Sequence, residues 1–467
     1  MCGIIGVTAE NVAVPIYKGL LALQHRGQDS VGIAVTSAKH VSMVKAPGLV
    51  QNVLTNKTLS SLEGTFGIGH VRYATIGGSL SMDAQPFADR EERVVLAYNG
   101  NIVNYEELSK PFAGSLHSTC DAEVLVEILG RAYGRQHSLE GVFEGVAEIM
   151  DSANGSYSAV ALVAGLGLLA FRDPHAIKPL VMGKKGNDYA FASETVALDA
   201  MGFERVRDIA AGEAVLVGFD RQVHSKSIRP GRPAHCMFEW VYFARPDSTM
   251  DGRSVYEVRF ELGKQLAALY DKVSGGDVVV SVPDTSRIAA QALSEETGIP
   301  CREGLIKNRY IGRTFIMPTQ VKRDSAVEMK LNPIATVLEG KKVLLVDDSI
   351  VRGTTARKIV RVVRKRAKSI HMLITCPPIK CPCFYGIDFP IQEELVASSK
   401  NPEEIRQALE LDGLTYMSIE GLRKAIGLPN LCMACLDGCY PTSVSKELHE
   451  KVAAARLGER EKIQKSC

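Results

Sequence analysis

Lys342-Val343-Leu344-Leu345-Val346 is a short apolar run that stops abruptly at Asp347-Asp348-Ser349-Ile350-Val351-Arg352-Gly353-Thr354-Thr355. Beyond it Ile359, Val360, Val362 and Val363 recur among basic residues with helical spacing. A buried strand, a polar loop with a glycine and then a helix start constrain this part of the chain to an α/β layer. The same order predicts a phosphate cradle, in which backbone N–H groups and the Thr354 and Thr355 hydroxyls meet an anion at the positive end of the helix. The loop is not a Walker A loop, since it lacks the Gly-x-x-x-x-Gly-Lys spacing. Two adjacent carboxylates would repel a phosphate unless they hold something else. A ribose diol with a magnesium ion meets that need, because hard oxygens hold Mg²⁺ and the metal neutralises a diphosphate. An acidic turn capping the next helix is the plainer alternative.

The other end of the chain carries a nucleophile. Met1-Cys2-Gly3-Ile4-Ile5-Gly6-Val7 places a thiol directly behind the initiator methionine. Removal of Met1 would give Cys2 a free α-amino group, with reference pKa values of about 7.7 for the amine and about 8.5 for the thiol. Thiol and base then belong to one residue. Further on come Gly69-His70-Val71-Arg72-Tyr73, Tyr98-Asn99-Gly100-Asn101 and Ser118-Thr119-Cys120-Asp121. Together they suit hydrolysis of an amino-acid amide. Arg72 can fork onto an α-carboxylate, and Asp121 can take an α-ammonium. The Asn99 amide and the Gly100 N–H can stabilise a tetrahedral oxyanion. Each also has a plain reading: a hairpin turn at Asn99-Gly100, a surface ion pair for Arg72, a helix cap for Asp121.

The order of these pieces, with Leu23-Gln24-His25-Arg26-Gly27-Gln28-Asp29-Ser30 between them, resembles the class II glutamine amidotransferase domain of the N-terminal-nucleophile hydrolases. That resemblance implies Cys2 as nucleophile, Asn99 and Gly100 as oxyanion hole, and Arg72 and Asp121 as clamps on glutamine. Asp347 to Thr355 resembles the 5-phosphoribosyl 1-diphosphate motif of type I phosphoribosyltransferases. With Tyr242 to Ser248, Val282-Pro283-Asp284-Thr285-Ser286 and Gly304 to Ile316, the whole chain resembles the amidophosphoribosyltransferases. This implies one magnesium ion per subunit at Thr285, Asp347 and Asp348. Substrate contacts are implied at Lys307, Ser349, Arg352, Gly353, Thr354 and Thr355. A basic, glycine-interrupted loop from Lys307 to Phe315, with Arg309, Gly312 and Arg313, is expected to close over the diphosphate. The implied reaction forms 5-phosphoribosylamine, glutamate and diphosphate from phosphoribosyl diphosphate, glutamine and water, the first step of purine nucleotide synthesis. An apolar ammonia passage, feedback by purine nucleotides and a homotetramer are implied in the same way. A non-enzymatic regulator that senses phosphoribosyl diphosphate is the alternative, although it would not need Cys2, Arg72, Asn99 and Asp121.

The expected fold class is α/β. Residues 2–230 should form a four-layer αββα N-terminal-nucleophile hydrolase domain, and residues 231–467 an α/β type I phosphoribosyltransferase domain with a helical tail from Glu447 to Lys465. The junction is placed at Arg229-Pro230-Gly231-Arg232-Pro233, where proline and glycine interrupt regular structure. A formal net charge of +2 gives no reason for broad attraction to nucleic acid or membranes. The longest apolar stretch, Ala159 to Phe171, contains Gly165 and Gly167. It is too short to span a bilayer and reads as two strands and a turn. Met1-Cys2-Gly3 opens without the basic region of a signal peptide, so a cytoplasmic location is expected, with only Met1 ahead of the nucleophile.

Eleven cysteines are many for such a chain. Cys432-x-x-Cys435 followed by Cys439, together with Cys381 and Cys383, suggests metal binding more than disulfides. Spacing alone does not separate zinc from an iron–sulfur cluster. The resemblance does, because one branch of the amidophosphoribosyltransferases carries a [4Fe–4S] cluster. Matching its motifs implies one cluster per subunit on Cys236, Cys383, Cys432 and Cys435, with Cys381 and Cys439 outside the pattern.

Overall fold

The computed structural model describes residues 1–38, 40–73, 81–270, 275–308, 331–389 and 391–444. The expected tail helix and Arg309, Gly312 and Arg313 of the basic loop lie outside the described residues.

The first half is built on two antiparallel sheets laid face to face. The seven-stranded sheet runs in the order 204–208, 181–185, 188–192, 3–8, 66–72, 30–36 and 41–47. The six-stranded sheet runs 223–227, 213–218, 167–172, 155–163, 94–102 and 87–88. Alternation along Gly3–Thr8 explains the layering. Ile4 joins Phe66, Ile68, Ala97, Val160 and Leu168 in the core between the sheets. Ile5 and Val7 point the other way, into a core shared with helices Ala13–Ala22 and Thr195–Met201. Helices Asp121–Gln136 and Leu139–Ser152 cover the outer face of the second sheet. The result is the expected αββα stack. Glycines at 67 and 69 let helix Ala13–Ala22 lie close to its sheet, since a Cβ at Gly69 would stand 2.5 Å from Ile16 Cγ2. Ala159 to Phe171 does form two strands and a turn, within Gly155–Val163 and Gly167–Arg172.

The second half carries a four-stranded parallel sheet in the order Val278–Ser281, Lys342–Asp347, Ser369–Ile374 and Gly413–Tyr416. Its strands are apolar through their centres because helices such as Val255–Leu269, Arg287–Thr297 and Thr354–Arg364 bury them. Ligands of such sheets bind beyond the carboxyl ends of the strands, which is where Thr285 and Asp347-Asp348 stand. Among the described residues no helix is long and apolar enough to cross a membrane.

His70, in the centre of strand Phe66–Arg72, is fully buried. Burial first, and the charge of Arg72 second, lower its pKa from the usual 6.5 to about 3. The folded ring stays neutral while an unfolded chain takes up a proton below about pH 6.5, so folding stability falls as pH drops through that window. The loss should reach roughly 2 kcal/mol by about pH 5. Urea unfolding of native protein and His70→Gln checks this: the difference between neutral and acid pH should shrink in the variant, and an equal difference would contradict it.

Candidate functional site

Cys2 sits at the head of the central strand Gly3–Thr8, and three elements hold it. Its backbone N–H donates to Asn99 Oδ1 at 3.0 Å. Its carbonyl accepts from Arg26 Nε at 3.0 Å, and its thiol reaches the Tyr73 carbonyl at 3.9 Å. Asn99 and Gly100 do not form a hairpin turn. They lie inside the nine-residue strand Val94–Ile102, opposite Ser158 and Tyr157 of the neighbouring strand. With Oδ1 of Asn99 committed to Cys2, its side-chain NH₂ is left buried with no hydrogen-bond partner. An orphan donor of this kind costs about 1–3 kcal/mol unless a ligand satisfies it.

Cys2, Arg72, Tyr98, Gly100, Asn101 and Asp121 line one cleft. Asp121 is the first residue of its helix but caps nothing, since its Oδ2 accepts from the Ile102 N–H of the neighbouring strand at 2.8 Å. Burial raises its pKa, partly offset by hydrogen bonds from Tyr98 and Ile102. Arg72 is buried, with Nη2 3.4 Å from Asp83 Oδ2. Asp83 also accepts from the Thr119 N–H and hydroxyl, so one acid ties the Arg72 end of the cleft to the Asp121 end. Asp83, Tyr98 and Cys120 were not singled out from the sequence, and no spacing marks them.

The second cluster forms where strand Lys342–Asp347 ends. The Asp348 N–H turns back onto Asp347 Oδ1 at 2.9 Å. The Ser349 hydroxyl donates to Asp348 Oδ1 at 2.6 Å, and the Thr285 hydroxyl donates to Asp348 Oδ2. Burial raises the pKa of both acids. For Asp347 the adjacent Asp348 charge adds to this, and for Asp348 the Ser349 and Thr285 hydroxyls oppose it. Gly353 precedes helix Thr354–Arg364 with φ +78°, a value glycine adopts without strain. The Thr354 and Thr355 side chains are exposed at the helix start. Lys307 pairs with Asp284 at 3.1 Å, and Arg352 with Glu394 at 2.7 Å, so both cations stand ready to exchange partners at the rim.

A family model described as a glutamine amidotransferase domain matches residues 70–200. The amidophosphoribosyltransferase of Methanothermobacter thermautotrophicus is 45% identical over 96% of both chains. Among solved structures, glutamine phosphoribosylpyrophosphate amidotransferase from B. subtilis, complexed with ADP and GMP, superposes with a TM-score of 0.86 at 40% identity. The match covers 96% of this chain and 98% of that one. A structure described as the allosteric regulatory enzyme of purine biosynthesis gives a TM-score of 0.88 at 39% identity, covering 96% and 97%. The chain belongs to the amidophosphoribosyltransferase family.

Placement in the iron–sulfur branch of the amidophosphoribosyltransferases is not supported. Among the described residues no group of three or more histidines, cysteines, aspartates or glutamates is arranged to hold a metal ion. The [4Fe–4S] assignment to Cys236, Cys383, Cys432 and Cys435 is therefore withdrawn. Those four residues do line one small apolar pocket with Ile177, Phe238 and Tyr385, brought there partly by the parallel pairing of Cys236 with Cys432. The physical reason is burial, which pushes the Cys236 thiol up to about 11 and raises Cys432 and Cys435 as well. Burial of this kind disfavours the thiolate that a metal needs. The Cys383 sulfur accepts from the Tyr385 N–H at 3.3 Å. At the expected magnesium position Thr285, Asp347 and Asp348 bring together two carboxylates and a hydroxyl.

Arg26 fell within a stretch that carried the family resemblance, but its role was not legible there. It is fully buried, with its fork on Glu194 and, at 2.8 and 3.0 Å, on Glu239. Glu194 also takes His25 Nε2, the Arg245 N–H and the Ser248 hydroxyl. Breaking a buried pair typically costs about 3–5 kcal/mol, because the surviving charge is stranded. Arg26→Met should lower the chaotrope midpoint accordingly, and adding Glu239→Gln should recover part of the loss. A midpoint unchanged in Arg26→Met would contradict this.

Proposed function

We propose that the two sites carry the two halves of one reaction, glutamine hydrolysis in residues 2–230 and phosphoribosyl transfer in residues 231–467. The chain's activity is glutamine-dependent formation of 5-phosphoribosylamine, the first step of purine nucleotide synthesis. The orphan donor of Asn99 beside Cys2 supports this reading most directly, since it is a buried NH₂ waiting for an acceptor.

In the first half-reaction the Cys2 thiolate attacks the side-chain amide carbon of glutamine. The Asn99 NH₂ and Gly100 N–H hold the oxygen as it becomes negative. Arg72 grips the α-carboxylate and Asp121 the α-ammonium. The C–N bond breaks, ammonia leaves carrying the proton that the Cys2 amine had taken from the thiol, and water hydrolyses the thioester to glutamate. In the structure Met1 precedes Cys2, so the Cys2 nitrogen is a peptide N–H. Its service as base requires loss of Met1, whose own buried amine has a pKa lowered to about 6 by burial.

In the second half-reaction the loop Ser349 to Thr355 and the helix start bind phosphate, and Asp347 and Asp348 hold the ribose hydroxyls. The two acids offer carboxyl oxygens to a diol, and burial raises the pKa of both. Lys307 and Arg352 approach the diphosphate from the rim. Ammonia forms the N–C1 bond, the C1–diphosphate bond breaks, and the attacking nitrogen loses a proton. The Asp347 side of this assignment is supported by its place at the carboxyl end of a parallel strand. Inhibition by purine nucleotides is supported by the B. subtilis relative complexed with ADP and GMP. A homotetramer in the cytoplasm rests on family membership alone. A non-enzymatic sensor is disfavoured, because it would have no use for the intact Cys2 cleft.

Diphosphate release from phosphoribosyl diphosphate, with glutamine or ammonium as donor, tests the division of labour. Native protein should use both, and its intact mass should lack Met1. Cys2→Ala should lose glutamine use and keep ammonium use. Equal loss of both in a folded variant would contradict the separation of sites. Arg72→Lys, which keeps the charge but not the fork, should weaken glutamine use by about tenfold or more and leave ammonium use unchanged. An unchanged response to glutamine would remove Arg72 from the clamp.

A further inference from the structure

The segment Cys383-Phe384-Tyr385-Gly386-Ile387-Asp388 no longer has a metal to serve, yet it reaches across to the other half of the molecule. Asn101 and Ser156 are direct cross-strand partners in the sheet that carries Asn99 and Gly100. Each donates to the transferase half: Asn101 Nδ2 to the Phe384 carbonyl at 3.0 Å, and Ser156 Oγ to the Tyr385 carbonyl at 3.1 Å. Two neighbouring side chains thus hold two successive peptides. The next residue, Gly386, has φ +89° and lies against Gly100 itself. A Cβ added there would stand 3.0 Å from the Gly100 carbonyl oxygen and 3.3 Å from its carbon.

Gly100 needs such a restraint. It has to be glycine, since a Cβ would come within 1.9 Å of the Ser156 carbonyl oxygen. Glycine, however, is the residue least able to hold its own φ and ψ. An oxyanion donor is effective only within about 2.7–3.1 Å of the developing charge. Gly386 leaves little room beside the Gly100 carbonyl, and the Ser156 carbonyl crowds the Gly100 Cα from across the sheet, which limits movement of the Cα to which the N–H-bearing peptide is attached.

We propose that Phe384–Gly386 of the transferase half is a positioning element for the glutaminase oxyanion hole, with Ser156 and Gly386 as positioning residues for glutamine hydrolysis. The proposal rests on the assignment of Gly100 as an oxyanion donor. It gives the glutaminase a site completed by the domain that uses its product, so that amide cleavage is efficient only where the two halves are docked.

The test is steady-state glutamine hydrolysis and ammonium-dependent diphosphate release in native protein, Ser156→Ala and Gly386→Ala. Ser156→Ala removes one buried hydroxyl. The kcat for glutamine should fall by about tenfold, a fraction of what loss of a whole donor costs. KM for glutamine should stay within about twofold, as expected when only the transition state is affected. Gly386→Ala should fall further. Ammonium-dependent release should be unchanged in both, which also reports that the variants fold. Unchanged glutamine kcat in both variants would overturn the proposal. So would parallel loss of both half-reactions together with a lowered melting temperature, since that is what a merely structural contact would do. Absence of Cys2-dependent glutamine hydrolysis in native protein would instead overturn the underlying assignment of the site, and the proposal with it.

Discussion

The guanidinium of Arg26 lies where three parts of the molecule meet, and it is fully removed from water. It holds the carbonyl of Cys2, Glu194 from the end of the first half, and Glu239 from the beginning of the second. A charge buried this way is tolerated only because both carboxylates and the carbonyl satisfy its donors at once. Burial alone would lower its pKa, while Glu239 and Glu194 hold it charged. The position of Cys2 is therefore specified by residues separated by nearly half the chain, and the two halves cannot shift against each other without stranding charge. Arg172 repeats the device nearby, with a buried fork on Asp251 and further bonds to the Lys178, Ala176 and Ile209 carbonyls.

Around that junction the chemistry divides cleanly. The Cys2 cleft sets its donors on strands and a helix end, an arrangement suited to stabilising charge without reorganisation. The phosphoribosyl end places loop peptides, hydroxyls and two buried acids at the carboxyl edge of a parallel sheet. Its rim cations, Lys307 and Arg352, are half-exposed and paired with acids they can leave. The first site's groups sit on strands and a helix end, while the second's cations are half-exposed at its rim. This contrast matches their tasks, because amide cleavage needs pre-set dipoles and a diphosphate must be admitted and released.

What was legible in the sequence was local. Strand Lys342–Asp347, its loop and its helix could be read because apolar period, paired acids and a glycine all occur within a short stretch. Cys2, Arg72, Asn99 and Asp121 could be named because each carries a functional group in its own side chain, and Gly100 because its N–H directly follows Asn99. The plain readings of Asn99-Gly100 as a turn and Asp121 as a cap failed for a non-local reason: the partner strand Gly155–Val163 and the Ile102 N–H lie far along the chain or across the sheet. Asp83 and Arg26 were silent because an acid or a base gives no sign of its burial until its partners are known. The cluster misread shows the converse. Four cysteines with suggestive spacing do converge on one pocket, but spacing says nothing about whether thiols ionise there, and burial disfavours it for Cys236, Cys432 and Cys435.

The most direct test of two chemistries joined in one body is the fate of the amide nitrogen. Native protein would be given amide-¹⁵N glutamine and phosphoribosyl diphosphate in the presence of excess unlabelled ammonium, and the label in 5-phosphoribosylamine measured. Coupled sites predict that the product keeps far more label than the surrounding ammonium pool. A product whose label matches that pool would show that the two halves act independently, and would contradict the account.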